Sequence, residues 1–255
     1  MHKYTKKGVY FITLYGDVDA LKGHSGLDWD SGGGNKRSRV LIETLKAVIV
    51  PKNYTSPLKY APGSFFGCYN LEYISPNIFE NLTECKTLFH LFDGCKLKRL
   101  PEGLLKNCVK LKDARFIFEA CDITEIPEDL FENCPELLSV RCGFHRSNKL
   151  SRVPSKLFKN NHKITDVRKC FQGCRSLVDF PGDIFDSCPD ILYASETFSK
   201  ENMAGYAPQQ YITSIPPLWE RKNEDGSYKV REYFAYAKAC LDLPNYEDIP
   251  LDWRT

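Results

Sequence analysis

Several anchor positions recur along the chain every 25–27 residues, and this periodicity constrains the fold more than any other feature. The repeating unit is F-x-G-C-x-x-L-x-x-I-P-x-x-L-F-x-N-C-x-x-L-x-x-V, and FQGCRSLVDFPGDIFDSCPDIL shows it most clearly. A single unit buries too few apolar side chains to offset the entropy of ordering its backbone, so neighbouring units must stack. Two of the columns that stay in step are Phe65, Phe92, Phe118, Phe144, Phe171 and Phe198, and Pro76, Pro101, Pro127, Pro154 and Pro181.

Each unit contains signals for short extended and short helical segments. L-x-x-I-P is predicted to be extended, because the residue before a proline avoids the α region. PEDLF and PGDIF place proline at a first helical position with acidic residues behind it, which favours a short helix or 3₁₀ turn. L-x-x-V then forms a second extended arc. The sequence therefore predicts an α/β solenoid with short parallel strands.

The unit resembles the BspA-like leucine-rich repeats of bacterial surface and adhesin-type proteins. The resemblance covers roughly residues 64–200, and the tail CLDLPNYEDIPLDW is similar to the closing segment of such arrays. It implies a leucine-rich repeat right-handed superhelix of about five turns, and usually partner binding. Ser147 and Asn161 depart from the pattern by replacing repeat cysteines, and NLTEC departs from it near Cys85.

The flanking segments lack the repeat and are predicted to cap the array, because a terminal repeat would otherwise expose its apolar face. We predict an N-terminal cap over residues 1–63, with VYFITLY and VLIETLKAVIV as strands or a strand and a helix. The solenoid occupies 64–200. A C-terminal cap over 201–255 includes a predicted helix at YFAYAKACLDL and is closed by Trp219 and Trp253.

Composition and charge argue against some classes of partner. The 255 residues carry a formal net charge of +2, which gives no argument for binding nucleic acid. No apolar run approaches the roughly 18 residues of a membrane span. The opening MHKYTKKGVYFITLYG is predicted to be a strand rather than a signal peptide. A cell-surface or extracellular location is expected if a leader was removed, and a cytoplasmic or phage-particle location otherwise.

The 11 cysteines are predicted to be reduced and buried. Most of them fall in two repeat columns, each of which loses a member to Ser147 or Asn161, which paired bridges would not tolerate easily. Cys170 with Cys174, and Cys85 with His90, are pairs of potential metal ligands, but no second pair lies at zinc-site spacing. We therefore expect no metal and no cofactor.

No recognisable catalytic motif is present, and the chain is predicted not to be an enzyme. The run from Ser31 to Ser38, SGGGNKRS, lacks the arrangement of a phosphate-binding loop and is expected to be a flexible loop. None of the five histidines pairs with a nucleophile motif. They are His2, His24, His90, His145 and His162.

Variable columns of the repeat supply the candidate site. The column Tyr73, Arg99, Glu125, Arg152 and Asp179 alternates in sign from Arg99 onward, which indicates a self-neutralising structural face. A second column contains the like charges Arg115, Arg141 and Arg168, with Asp113, Ser139 and Asp166 two residues earlier. Two interpretations stay open, local Arg–Asp pairing on a solvated face and binding of an acidic partner or glycan carboxylate.

The predicted function is a non-enzymatic binding or adhesion module. It would present its repeat surface to a protein or glycan partner, on a bacterial cell surface or a phage particle. The partner-binding residues would be Arg115, Arg141 and Arg168 together with Asp113 and Asp166. The alternative is a structural or assembly component that acts as a rigid spacer or oligomerisation platform. The oligomeric state stays open.

Overall fold

A computed structural model describes residues 45–50, 63–178, 180–199, 214–238, 243 and 246–255. Regular secondary structure is sparse in this part of the chain. It consists of strand β1, Ala47–Val48; strand β2, Tyr73–Ile74; two 3₁₀ helices, Leu218–Glu220 and Tyr246–Asp248; and helix α1, Leu251–Arg254. The predicted VYFITLY strand and the glycine run at 31–38 lie outside the described residues.

Parallel pairing joins equivalent positions of successive coils. β1 pairs with β2, with Ala47 opposite Tyr73. Farther along, single-residue parallel bridges link a column formed by Thr87, Asp113, Ser139, Asp166, Tyr193 and Glu232. The chain thus returns to the same edge once per coil, which is the arrangement of a solenoid. The handedness of the superhelix and the number of turns stay predictions.

In two coils the proline of the unit opens a tight turn rather than an α-helix. The amide of Leu130 donates to the carbonyl of Pro127 at 3.2 Å, and Leu157 repeats this contact with Pro154 at 3.1 Å. Donation to the third preceding residue is the 3₁₀ pattern, and it suits short pieces of chain. Of the two predicted alternatives, short helices and 3₁₀ turns, these coils adopt the tighter one.

The phenylalanine columns fill the interior. The rings of Phe65, Phe92, Phe118, Phe144, Phe171 and Phe198 form one continuous stack with successive centroids 5.2–6.0 Å apart. A second stack joins Phe131, Phe158 and Phe185 at 5.7 and 5.8 Å. All of these rings are buried. The repeat period therefore brings equivalent aromatic side chains into contact in one core.

The chain turns a corner on each side of the first phenylalanine stack, and left-handed backbone makes both corners. In the coils of that stack, the residue two before the ring has positive φ, and so does the residue two after it in the first five coils. The first set comprises Gly63, His90, Phe116, Cys142, Lys169 and Glu196, and the second comprises Gly67, Gly94, Ala120, Arg146 and Gly173. Residues other than glycine have a strained backbone in this region. Packing of the coils must therefore hold these corners in place.

In four coils of the first stack, a small polar side chain follows the ring by three residues and donates a hydrogen bond to the coil before. The thiol of Cys121 donates to the carbonyl of Phe92 at 3.1 Å, and that of Cys174 donates to Phe144 at 3.0 Å. Serine at position 147 fills the same role. Its hydroxyl donates to the carbonyl of Phe118, the ring residue of the preceding coil, at 2.8 Å. The departure from cysteine therefore keeps the hydrogen bond.

Asn161 conserves a donor in the second cysteine column. Its Nδ2 donates to the carbonyls of Phe131 at 3.0 Å and Cys134 at 2.8 Å. In the following coil, the thiol of Cys188 donates to the carbonyl of Asn161 at 3.5 Å. The ten cysteines within the described residues are free, and Cys240 lies outside them.

The irregular NLTEC segment exchanges two side chains between columns. In the register of the ladder, Leu82 occupies the buried position of Cys108, and Cys85 occupies that of Leu111. Cys85 is half-buried, and its thiol donates to the carbonyl of Thr87 at 3.1 Å. The segment therefore keeps the spacing of the repeat and only exchanges leucine and cysteine.

The helix predicted at YFAYAKACLDL is wrong for residues 233–238, the continuous part of it that the structure describes. Glu232 forms a parallel bridge with Tyr193, and the amide of Phe198 donates to the carbonyl of Tyr236 at 2.9 Å. Ala235 has a φ of 51°, at the corner position of the other coils. This segment therefore forms a further coil of the ladder, paired with the coil of Tyr193.

Aromatic side chains cover the interior beyond this segment. Trp253 is fully buried, and its ring stacks on Tyr233 with centroids 4.6 Å apart. Trp219 lies 6.1 Å from Trp253, and both contact Tyr236 edge-on. The hydroxyl of Tyr236 donates to the carbonyl of Pro216 at 3.0 Å. The boundaries of the two caps stay predictions.

Candidate functional site

The three arginines of the predicted site lie in successive coils, two residues after the bridged column. Arg115, Arg141 and Arg168 follow Asp113, Ser139 and Asp166, which pair with one another along the ladder. Strands in a parallel ladder are about 4.8 Å apart. The structure therefore places the three arginines at equivalent positions of neighbouring coils, and we call them the arginine row.

The first arginine of the row is engaged by its own coil. The Arg115 Nε and Nη2 atoms donate to the two carboxylate oxygens of Asp113 at 2.8 and 2.9 Å. The guanidinium carbon also lies 5.0 Å from the centroid of the Phe89 ring. The hydrogen bond to Asp113 raises the pKa of Arg115, so its charge is fixed at any ordinary pH. Its side chain is 40% exposed.

The third arginine is held more tightly. Arg168 makes the same two-atom contact with Asp166 at 2.9 Å and donates from Nη1 to Glu232 at 2.8 Å. Its guanidinium carbon lies 4.9 Å from the centroid of the Tyr193 ring. The hydrogen bonds to Asp166 raise the pKa of Arg168, and the charges of Asp166 and Glu232 add to this. Local Arg–Asp pairing therefore operates at both ends of the row.

Arg141, in the middle, differs from its neighbours. The residue two positions earlier is Ser139, whose Oγ accepts a bond from the Arg141 amide at 3.3 Å. Arg141 has no carboxylate partner among the described residues, and its Nε atom is buried without a hydrogen bond there. The row thus consists of two neutralised cations with an un-neutralised one between them.

A second cluster lies beside the first arginine and was not predicted from the sequence. His90 Nδ1 and Asp93 Oδ2 are 2.6 Å apart, and His145 Nδ1 and Glu119 Oε1 are 2.7 Å apart. One potential ligand atom from each of His90, Asp93 and Glu119 lies within 4.8 Å of the other two. We call His90, Asp93, Glu119 and His145 the histidine–carboxylate cluster.

Three phenylalanine rings surround the imidazole of His90 in this cluster. The imidazole of His90 stacks on the ring of Phe116 with centroids 4.3 Å apart and meets Phe89 edge-on at 4.2 Å. Phe66 approaches it edge-on at 5.4 Å. Together with Asp93 and Glu119, these rings line a cleft of about 470 Å³. The imidazole is therefore held in a defined orientation at the surface.

The electrostatics of the cleft reflect two neighbouring carboxylates. Burial raises the pKa of the Asp93 carboxyl, the hydrogen bond with His90 opposes this shift, and the charge of Glu119 adds to it. The Asp93 side chain is 14% exposed and that of Glu119 is 16% exposed. The site therefore concentrates negative charge while it remains open to solvent.

One column of the repeat could have revealed this cluster. The residues that directly follow the stacked phenylalanines include Asp93, Glu119 and His145 in consecutive coils. Stacking of the coils places these three titratable groups side by side. His90 joins them from the neighbouring corner column, which the repeat pattern alone does not connect to it.

No helix of the described residues is long and apolar enough to cross a bilayer. No protein-family model matches the chain. No curated protein matches it either.

Solved structures offer distant similarities. They include the leucine-rich repeat domain of APL1, with 16% identity and a TM-score of 0.38 over 57% of this chain and 37% of that one. The LRIM1/APL1C complex has 15% identity and a TM-score of 0.35 over 57% and 26%. An internalin, inlF, from Listeria monocytogenes has 15% identity and a TM-score of 0.30 over 69% and 55%.

The chain thus spans between about a quarter and just over half of the length of these structures. Similarity at this level carries no argument about function. The solenoid assignment rests on the parallel ladder and the ring stacks of the chain itself.

Proposed function

We propose that this chain is a non-enzymatic binding module that presents the arginine row to an acidic group of a protein or glycan partner. The observation that carries this proposal is the state of Arg141, a cation flanked by two paired arginines and lacking a carboxylate partner among the described residues. Asp113 and Asp166 take part by orienting Arg115 and Arg168.

The chemistry of guanidinium supports an anionic ligand. A row of like charges on a ladder is destabilising by about 0.2–1 kcal/mol per pair. Asp113 and Asp166 relieve that cost at both ends, whereas Ser139 leaves it in place at the centre. A carboxylate that approaches Arg141 would gain charge-assisted hydrogen bonds and neutralise the centre of the row.

The proposed biological setting is a bacterial cell surface or a phage particle. The resemblance of the repeat to those of bacterial surface and adhesin-type proteins supports this setting. On either, a rigid solenoid with a fixed row of cations would bind acidic side chains or the carboxylates of uronic and sialic acids.

A glycan array that carries uronic-acid and sialylated glycans, together with polyglutamate and polyaspartate peptides, tests the proposal on the intact chain. Arg141→Gln should weaken the strongest hit at least about tenfold, since a charge-assisted hydrogen bond contributes about 1.5–3 kcal/mol. Arg99→Gln, which removes an exposed arginine in another column, should leave binding unchanged. Equal binding by Arg141→Gln and the wild type would reject the site.

Light scattering of the same preparations tests the alternative of an assembly component. Concentration-dependent self-association that persists when Arg115, Arg141 and Arg168 are all replaced by alanine, together with no hit on the array, would favour an oligomerisation platform over a ligand-binding module.

A further inference from the structure

We propose that His90, Asp93 and Glu119 form a binding site for one divalent transition-metal ion, for which Zn²⁺ is the natural probe. The site draws its ligands from two successive coils and lies beside the arginine row, but it does not depend on the function proposed for that row. It departs from the expectation of no metal, which considered only ligand pairs close together in sequence.

The distances among the potential ligand atoms suit a small cation. Zn²⁺ bonds nitrogen and oxygen at about 2.0–2.2 Å, so tetrahedral ligand atoms stand about 3.3–3.5 Å apart. The three atoms offered here lie within 4.8 Å of one another, and His90 Nδ1 is 2.6 Å from Asp93 Oδ2. Small side-chain rotations would equalise these separations. Solvent would supply the fourth position, because all three side chains are partly exposed.

The charge balance of the cleft favours a cation. Asp93 and Glu119 place two carboxylates beside the imidazole of His90, with one oxygen of each within 4.8 Å of the other. A divalent ion would neutralise both carboxylates at once. The rings of Phe66, Phe89 and Phe116 lower the local dielectric and so strengthen that attraction. The same rings fix the imidazole plane of His90.

His145 acts as a positioning residue. Its Nδ1 lies 2.7 Å from Glu119 Oε1, and its side chain is 10% exposed. Such a contact orients a ligating carboxylate and usually changes metal affinity about 10–100-fold when it is lost. His145 therefore belongs to the site without being required as a ligand.

The thiols of the repeat do not compete for the ion in the folded chain. Burial raises the pKa of Cys68 to about 11 and that of Cys134 to about 12, so both stay protonated near neutral pH. Metal ions bind the thiolate form. Uptake by the native chain is thus expected at the histidine–carboxylate cluster.

Isothermal titration of the intact chain with Zn²⁺ tests the site. We expect one equivalent to bind and the melting temperature to rise with free Zn²⁺. His90→Phe and Glu119→Gln should each weaken binding at least about tenfold. Phenylalanine is tolerated in this column, because Phe116 holds the equivalent corner with a φ of 58°. His162→Phe, which removes an exposed histidine far from the cluster, should leave the affinity unchanged.

Two further readouts distinguish ligation by the histidine–carboxylate cluster from ligation by thiols or by scattered surface groups. Co²⁺ in place of Zn²⁺ should give visible bands without the near-ultraviolet charge-transfer absorption of thiolate ligation. His145→Ala should weaken binding about tenfold, and His145→Asn, which retains a donor near the position of Nδ1, should restore it. No saturable binding by the wild type, thiolate absorption, or equal affinity in His90→Phe and Glu119→Gln would each overturn the proposal.

Discussion

The hydroxyl of Ser147 donates a hydrogen bond of 2.8 Å to the carbonyl oxygen of Phe118, one coil earlier. Cysteine thiols make the equivalent bond at 3.0–3.1 Å in the coils on either side. What the column conserves is therefore a small donor that satisfies a buried carbonyl, and the sulfur itself is dispensable.

Ser147→Ala should lower the free energy of unfolding by about 0.5–1.5 kcal/mol, because the buried carbonyl of Phe118 then keeps only the long bond of 3.4 Å from the Cys121 amide. Ser147→Cys should stay close to the wild type at neutral pH, since the neighbouring coils already use cysteine there. Urea denaturation followed by circular dichroism measures both. An alanine variant as stable as the wild type would show that this bond contributes nothing.

Alkaline pH should destabilise the chain through its buried thiols. Burial raises the pKa of Cys174 from 9.0 to about 12. The folded chain thus keeps a proton that the unfolded chain releases above pH 9. The stabilisation that each such thiol contributes is fully present below pH 9. It is lost as the pH rises toward 12, and the free energy of unfolding falls by up to about 1.4 kcal/mol per pH unit for each thiol.

Cys174→Ser keeps the donor and removes one titrating group, so its stability should fall less steeply above pH 9 than that of the wild type. Ser147→Cys adds a thiol and should make the fall steeper. Urea midpoints measured between pH 7 and pH 10 compare the three chains. Parallel curves would mean that these thiols are not shielded from solvent in the folded state.

The corner at Ala120 should accept glycine with a gain in stability. Ala120 is exposed and has a φ of 52°, where Gly67, Gly94 and Gly173 stand in other coils. Relief of left-handed strain, about 1–2 kcal/mol, outweighs the entropic cost of glycine, about 0.5–1 kcal/mol. Ala120→Gly should therefore stabilise the chain by up to about 1 kcal/mol in thermal unfolding.

The matched control for that corner is Ala47→Gly, an exposed alanine in strand β1. It should destabilise by about 0.5–1 kcal/mol, because glycine there loses chain entropy without relieving strain. Equal effects of the two substitutions would show that the corner geometry is not strained.

Much of this architecture could be predicted from the repeat alone. The period placed Phe118 and Phe144 in one column, and their rings stack at 5.8 Å. It also placed Arg115 two residues after Asp113, and the two form an ion pair. Equal spacing in sequence becomes contact in space whenever coils stack, so column identity and neighbour relations follow from the sequence.

Other features depend on three-dimensional relations that the period does not encode. The spacing of YFAYAK fits a helix, yet Tyr236 continues the coil stack because the ladder offers Glu232 a partner in Tyr193. His90 and Glu119 belong to different columns and meet only because a left-handed corner turns His90 toward the next coil. The left-handed corners at Ala120 and Phe116 could not be predicted either, because neither position is a glycine.

Coupling between Phe131 and Phe158 tests the stacked interior most directly. Their rings lie 5.7 Å apart in neighbouring coils. Phe131→Ala should cost about 3–5 kcal/mol as a buried truncation. For coupling, the milder variants Phe131→Leu, Phe158→Leu and Phe185→Leu, singly and in pairs, are measured by urea unfolding. We expect about 0.5–1.5 kcal/mol between Phe131 and Phe158, and additivity between Phe131 and Phe185 two coils away. A near-neutral Phe131→Ala, or equal coupling in both pairs, would contradict a solenoid built on these columns.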